Sequence, residues 1–193
     1  MVPEQKKSAR TTAKTVSMSL DTEEIREKKP VLLFTAGQID EILAEITIQA
    51  LPFVPEYFLG LCAWREQVLP IIAPDRFFGL RSQEKGGEGR YVVVRTVDTG
   101  VTADGSKRGS GKKILRCVLK VSDQIITGEA SAQCKAVHPE RVGLPSVFIR
   151  GLFLGETDLF ILPDLTAIIH SNSLHDVKND VKKRGRGLPI NAL

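Results

Sequence analysis

The sequence predicts a mainly β protein made of two small barrels packed side by side, with short helices. Three observations predict it. At 193 residues the chain suits one ordinary domain, or two small ones sharing a core. It reads as many short apolar segments separated by turn residues, the pattern of barrels rather than of an open sheet. And it repeats itself. FLGLCAWREQVLPII (58–72) and FIRGLFLGETDLFIL (148–162) each give an apolar–Gly–apolar strand, a tight bend and a buried strand. Aligning Gly60 with Gly151 places Phe58 on Ile149, Leu61 on Leu152, Val68 on Leu159, Leu69 on Phe160 and Ile71 on Leu162. Ala73 then falls on Asp164, where each copy starts a short helix. One strand pair cannot bury both of its faces, so each copy needs neighbouring strands, and two equivalent units close as two barrels.

The elements follow in order. Residues 1–14 are polar and aperiodic, and predict a disordered N-terminal arm. In TVSMSLD (15–21), Val16, Met18 and Leu20 alternate with Thr15, Ser17 and Ser19, the mark of a strand with one buried face. DTEEIREKKP predicts a charged turn or short helix ended by Pro30, and VLLFT (31–35) a buried strand. In AGQIDEILAEI (36–46), Ala36, Ile39, Ile42, Leu43 and Ile46 fall at helical spacing. Pro52 and Pro55 make ALPFVPEYFLG an extended connection. LGLCAW and VLPII are strands around the first bend, and PDRFFGL (74–80) a short helix with proline in its first turn. RYVVVRTV (90–97) and ILRCVLKV (114–121) predict a hairpin whose long tip, 98–113, is rich in Gly, Ser, Asp and Lys. QIITGEASAQCKAV reads as a strand that turns, and HPERVGLPS as a loop. FIRGLFL and DLFILP are strands, and DLTAIIHS (164–171) is a short helix with Asp164 as N-cap. Residues 171–193 form a polar, basic tail.

Composition narrows the function. The chain is 42% hydrophobic and 26% charged, as globular chains are. No apolar run reaches the roughly 18 residues that cross a bilayer, and MVPEQKKSARTTAK lacks the apolar stretch of a secretion signal. Cys62, Cys117 and Cys134 are an odd set at wide spacing in or beside apolar stretches, which predicts buried free thiols and a cytoplasmic protein. Residues 1–30 carry seven Lys/Arg against five Asp/Glu, and residues 171–193 five against two, so of the net +4 the stretch 31–170 holds −1. A nucleic-acid-binding barrel concentrates positive charge on its ordered surface; here only the ends are basic. Cys134, His138, His170 and His175 lack the paired spacing of a zinc site. GSKRGSGKK fails the phosphate-loop pattern, with Ser106 in place of the first glycine and Lys113 in place of Ser/Thr. No nucleophile–base set and no acidic pair at metal spacing emerges, so no enzyme, cofactor, metal or small-molecule substrate is expected.

Two segments resemble the CheW-like domain, the adaptor module of bacterial chemosensory arrays. PEYFLGLCAWREQVLPIIAPDRFFGL is similar to the family's apolar-Gly strand, N-L-R-G bend, V-x-P-V-I-D-L strand and short helix. VFIRGLFLGETDLFILPDLTAII resembles its second-half strand pair, and QIDEIL its V-x-E-I/V-L element, a helical turn running straight into a strand. The resemblance covers about residues 31–170, within a domain drawn at 15–170, and replaces the helix over 42–48 by strand. It implies two five-stranded barrels with a groove between them, no catalysis, and two partners: a chemoreceptor's cytoplasmic tip and a histidine kinase's regulatory domain. It also implies the receptor-facing residues: Glu41 and Arg65 by match to the motifs, Ile39 as the apolar neighbour of that glutamate. Trp64, the chain's single tryptophan, is the added candidate, since aromatic residues concentrate at interface hot spots. Ala63 and Glu66 stand where the pattern has Asn and Gly, and glutamate adopts the positive φ of a tight bend poorly. Each candidate also has a plain reading: Trp64 as a packing residue, Arg65 and Glu41 as a solvated ion pair. Two other functions stay open: a small-barrel nucleic-acid binder using the basic ends, and a barrel that completes kinase rings without binding receptor.

Overall fold

The computed structural model describes residues 14–81, 89–99, 112–129 and 134–171. Residues 1–13 of the arm, the C-terminal tail after Ser171 and nearly all of the 98–113 tip lie outside them; Lys14, expected in the arm, is instead the first residue of a strand. Eleven strands form two sheets among the described residues. They are β1 (Lys14–Ser19), β2 (Lys29–Thr35), β3 (Ile39–Leu43), β4 (Phe58–Trp64), β5 (Gln67–Ile72), β6 (Arg90–Asp98), β7 (Lys113–Val121), β8 (Ile125–Glu129), β9 (Lys135–Ala136), β10 (Ile149–Leu154) and β11 (Asp158–Pro163). Two short helices, α1 (Pro74–Phe77) and α2 (Leu165–Ile169), follow β5 and β11. One sheet has the order β8-β1-β2-β11-β10-β9, the other β3-β6-β7-β5-β4.

The two sheets are the same object with the chain cut at different places. In each, one antiparallel pair (β1–β2, β6–β7) joins the repeat hairpin through one parallel contact, β2 with β11 and β7 with β5. β8 lies beside β1 as β3 lies beside β6. The sixth strand, two-residue β9 on β10, corresponds to the single bridge of Gln49 to Leu61 on β4. One unit runs continuously from β3 to β7; the other starts at β8, ends at α2, and is completed by β1 and β2 from the chain's start. The repeat is kept in detail: both hairpins carry a bulge at the same place, between Phe58 and Gly60 and between Ile149 and Gly151. A fragment of residues 31–170, the extent of the resemblance, would lose β1 from between β8 and β2.

Alternation explains the strands. Val92 and Val94 on β6, with Leu115, Cys117 and Leu119 on β7, join the main core, which draws on both sheets and both helices. Val93 and Val118 point the other way, into a second cluster with Cys62, Trp64, Leu69 and Ile71. Residues 36–38 form one 3-10 turn, and β3 begins at Ile39, so strand pairing with β6 overrides the helical period. The 22–28 segment is neither helix nor open loop: Ile25 and Lys28 exchange backbone hydrogen bonds around Arg26 and Glu27, both at positive φ. Asp164 caps α2 by accepting from the Ala167 N–H at 3.0 Å, while Ala73 leaves α1 without a side-chain cap. Cys62 and Cys117 are buried free thiols; Cys134 is half-buried rather than buried.

Candidate functional site

At one end of the five-stranded sheet, edge strands β3 and β4 meet through side chains. The β4–β5 hairpin pairs Trp64 with Gln67, leaving Arg65 and Glu66 as the two-residue turn. Their φ values are +44° and +57°. Both are positive, the pattern of a type I′ turn, which matches the twist of the flanking strands. The tight bend therefore persists without the glycine, and Glu66 takes the left-handed conformation itself.

Trp64 is 8% exposed, its ring in the second core cluster. Its indole Nε1–H donates to Glu41 Oε2 at 2.8 Å, and Arg65 Nη2 donates to the same oxygen at 3.0 Å. The Arg65 guanidinium lies 4.5 Å from the Trp64 ring centroid, within cation–π range. A second guanidinium, Arg116 on β7, lies 5.6 Å from that ring. Arg116 Nε donates to Asp40 Oδ2 at 2.6 Å, and Arg95 on β6 reaches Asp40 Oδ1 at 3.2 Å and the Gly37 carbonyl at 2.8 Å.

Consecutive strand residues normally face opposite sides. A bulge between Ile39 and Glu41 lets Asp40 and Glu41 both reach this arginine cluster. The result is graded from inside out. Asp40 is nearly covered, its side chain 11% exposed; Glu41 is 36% exposed and Arg65 66%. Arg65 and Glu41 thus form an accessible ion pair on a fixed aromatic platform.

Three of the four sequence candidates meet here: Glu41, Trp64 and Arg65. Trp64 supports the pair and offers little of its own surface. Ile39 is half-buried against the main core. Sequence reasoning missed Asp40, Arg95 and Arg116. A signal existed: Arg95 and Arg116 interrupt otherwise apolar strands at positions facing the same way as Val93 and Val118. Cys62 is in the second cluster, and burial pushes its thiol up from the usual value.

The sequence model of the CheW-like domain family matches residues 24–173. The chain belongs to that family. No curated protein matches the chain. Among solved structures, the scaffolding protein TtCheW from Thermoanaerobacter tengcongensis is similar, at 18% identity and a TM-score of 0.57 over 84% of this chain and 96% of that one. That likeness is one of fold: two SH3-like barrel subdomains, as in CheW. The family's start at residue 24 leaves out β1, although β1 is hydrogen-bonded on both sides. Among the described residues no helix is long and apolar enough to cross a membrane.

Proposed function

We propose that this CheW-like scaffold is a non-catalytic cytoplasmic adaptor that couples the tip of a chemoreceptor to the regulatory domain of a histidine kinase. The observation that carries this reading is the exposed Glu41–Arg65 pair, at the positions implied by the family motifs and seated on Trp64. A helical tip docking there supplies apolar area, and Arg65's planar, five-donor fork fixes its orientation. In the free protein the pair is solvated and contributes about 0–1 kcal/mol, so Arg65→Ala leaves folding nearly unchanged. On docking the pair is desolvated, and truncating one member of such a pair costs roughly 2–5 kcal/mol.

The test is co-sedimentation of the protein with receptor membranes and kinase, each component omitted in turn. Wild type should pellet with receptor and recruit kinase. Arg65→Ala should lose receptor binding by more than about tenfold, while Lys182→Ala in the basic tail should not. Equal receptor binding by Arg65→Ala and wild type would remove Arg65 from the site.

A further inference from the structure

Phe53 carries two penalties at once. Its side chain is fully exposed, at 102% of the reference area, and its backbone sits at φ +59°. Pro52 precedes it, and a turn with proline followed by a positive-φ position favours Gly or Asn there. Large residues in strained conformations persist where the surroundings over-determine them, and they cluster at functional positions. The surroundings here do so. Leu51 and Val54, on either side, pack against the main core. Gln49 exchanges two backbone hydrogen bonds with Leu61, at 2.8 and 2.9 Å, and Phe58 N–H donates to the Pro55 carbonyl at 2.9 Å. The phenyl ring is thus held out from a pinned segment. The segment itself is uncharged: from Ile46 to Pro55 there is no Asp, Glu, Lys or Arg, in a chain that is 26% charged.

The Gln49–Leu61 bridge is antiparallel. Residues after Gln49 therefore run toward the Phe58 end of β4, whereas Arg65 follows its Trp64 end. Seven residues of strand separate the two ends by about 20 Å at roughly 3.3 Å per residue. A scaffold that holds two partners at once needs two surfaces that do not overlap. One end of this sheet is an arginine–carboxylate cluster; the segment that leads to the other, residues 46–55, carries no charged side chain.

We propose, resting on the adaptor reading above, that Phe53 anchors the kinase-side partner by entering an apolar pocket without a charged rim. Interface centres are depleted in charge and built on buried aromatic anchors. Binding there is little affected by salt, unlike binding at Arg65.

The probes are the isolated regulatory domain of a chemosensory histidine kinase and a receptor cytoplasmic fragment, each titrated against full-length wild type, Phe53→Asn and Phe53→Leu. Asn tolerates positive φ, so Phe53→Asn should melt no lower than wild type. It should bind the kinase domain at least about tenfold more weakly, in low and high salt alike, and bind receptor unchanged. Phe53→Leu should lose less. Unchanged kinase-domain affinity in Phe53→Asn overturns the assignment, and so does a loss confined to receptor binding. Wild type binding neither probe sinks the adaptor reading as well; wild type and Phe53→Asn binding the kinase domain equally sinks only Phe53.

Discussion

The two repeat hairpins share a frame and differ at their tips. Both have the same bulge, a two-residue turn and a short helix after the second strand. At the β10–β11 turn, the Gly155 N–H donates to the Asp158 carbonyl at 2.9 Å, and Glu156 and Thr157 avoid positive φ. That turn is also tied down: the Lys29 N–H donates to the Thr157 carbonyl at 3.1 Å, and Lys28 Nζ donates to that of Glu156. At the β4–β5 turn, Arg65 and Glu66 both hold positive φ. Where Gly155 has no side chain, and a Cβ would come within 3.0 Å of the Phe160 ring, the first hairpin carries Trp64. One duplicated unit has become a structural turn held against β2. The other presents an ion pair on an indole platform. The fold set the position of both turns; side-chain chemistry made one of them a candidate site.

The largest effect expected from testing this comparison lies at the shared bulge. A Cβ on Gly60 would sit 2.4 Å from the Gln49 carbonyl oxygen, and its φ is +140°. A Cβ on Gly151 would crowd the Phe153 ring, at 2.8 Å, which can shift, and would meet Leu162 Cδ2 at an ordinary 3.7 Å. Gly60→Ala should therefore cost about 4 kcal/mol or more, in the range reserved for severe strain, and Gly151→Ala about 1 kcal/mol. Urea denaturation of both variants measures the contrast. Equal losses would mean that the Gln49 segment does not press on β4, which would also free the loop that displays Phe53.

Next comes Trp64. Its ring fills the second cluster, so Trp64→Ala should cost about 3 kcal/mol. Trp64→Phe keeps the apolar body but removes the donor to Glu41, a loss of about 1.5 kcal/mol, the low end for a hydrogen bond to a charged group. If Trp64→Phe proves as costly as Trp64→Ala, the indole N–H rather than the ring holds the barrel end together. If neither variant is destabilised, Trp64 is not a platform.

Much of the frame was legible in the sequence. The 91-residue offset, the strand alternation and the Asp164 cap depend on neighbours a few residues apart, and all appear in the structure. What was not legible depends on distant partners. Nothing in TVSMS indicates that β1 pairs with β8, more than 100 residues away, because an alternating strand fits any edge of matching polarity. The helical period of 36–46 does not decide that segment. Pairing with β6 makes 39–43 strand, as the resemblance implied, but the strand stops at Leu43, and 44–48, also expected as strand, are neither helix nor strand. Of the site, motif positions gave Glu41 and Arg65. The cluster beneath them comes from three strands and a bulge: Asp40, Arg95 and Arg116 lie up to 76 residues apart and converge only once the sheet forms.

The smallest expected effect is at Glu66, and it bears most directly on why the two turns differ. A non-glycine residue in the left-handed region costs about 1 kcal/mol, and Glu66 is held at φ +57°. Glycine there removes the strain but enlarges the unfolded ensemble, so the two effects partly offset. Glu66→Gly should raise stability by about 0.5 kcal/mol, seen as a small upward shift in the urea midpoint with an unchanged slope. The equivalent Thr157→Gly, at a turn residue outside the positive-φ region, gains nothing from relief and should lower stability by about 0.5–1 kcal/mol. Opposite signs at equivalent positions would mean that the first turn keeps a strained residue its partner turn does not need. A loss of stability in both variants would mean that Glu66 makes a favourable contribution larger than its backbone strain, and that the bend is not under tension.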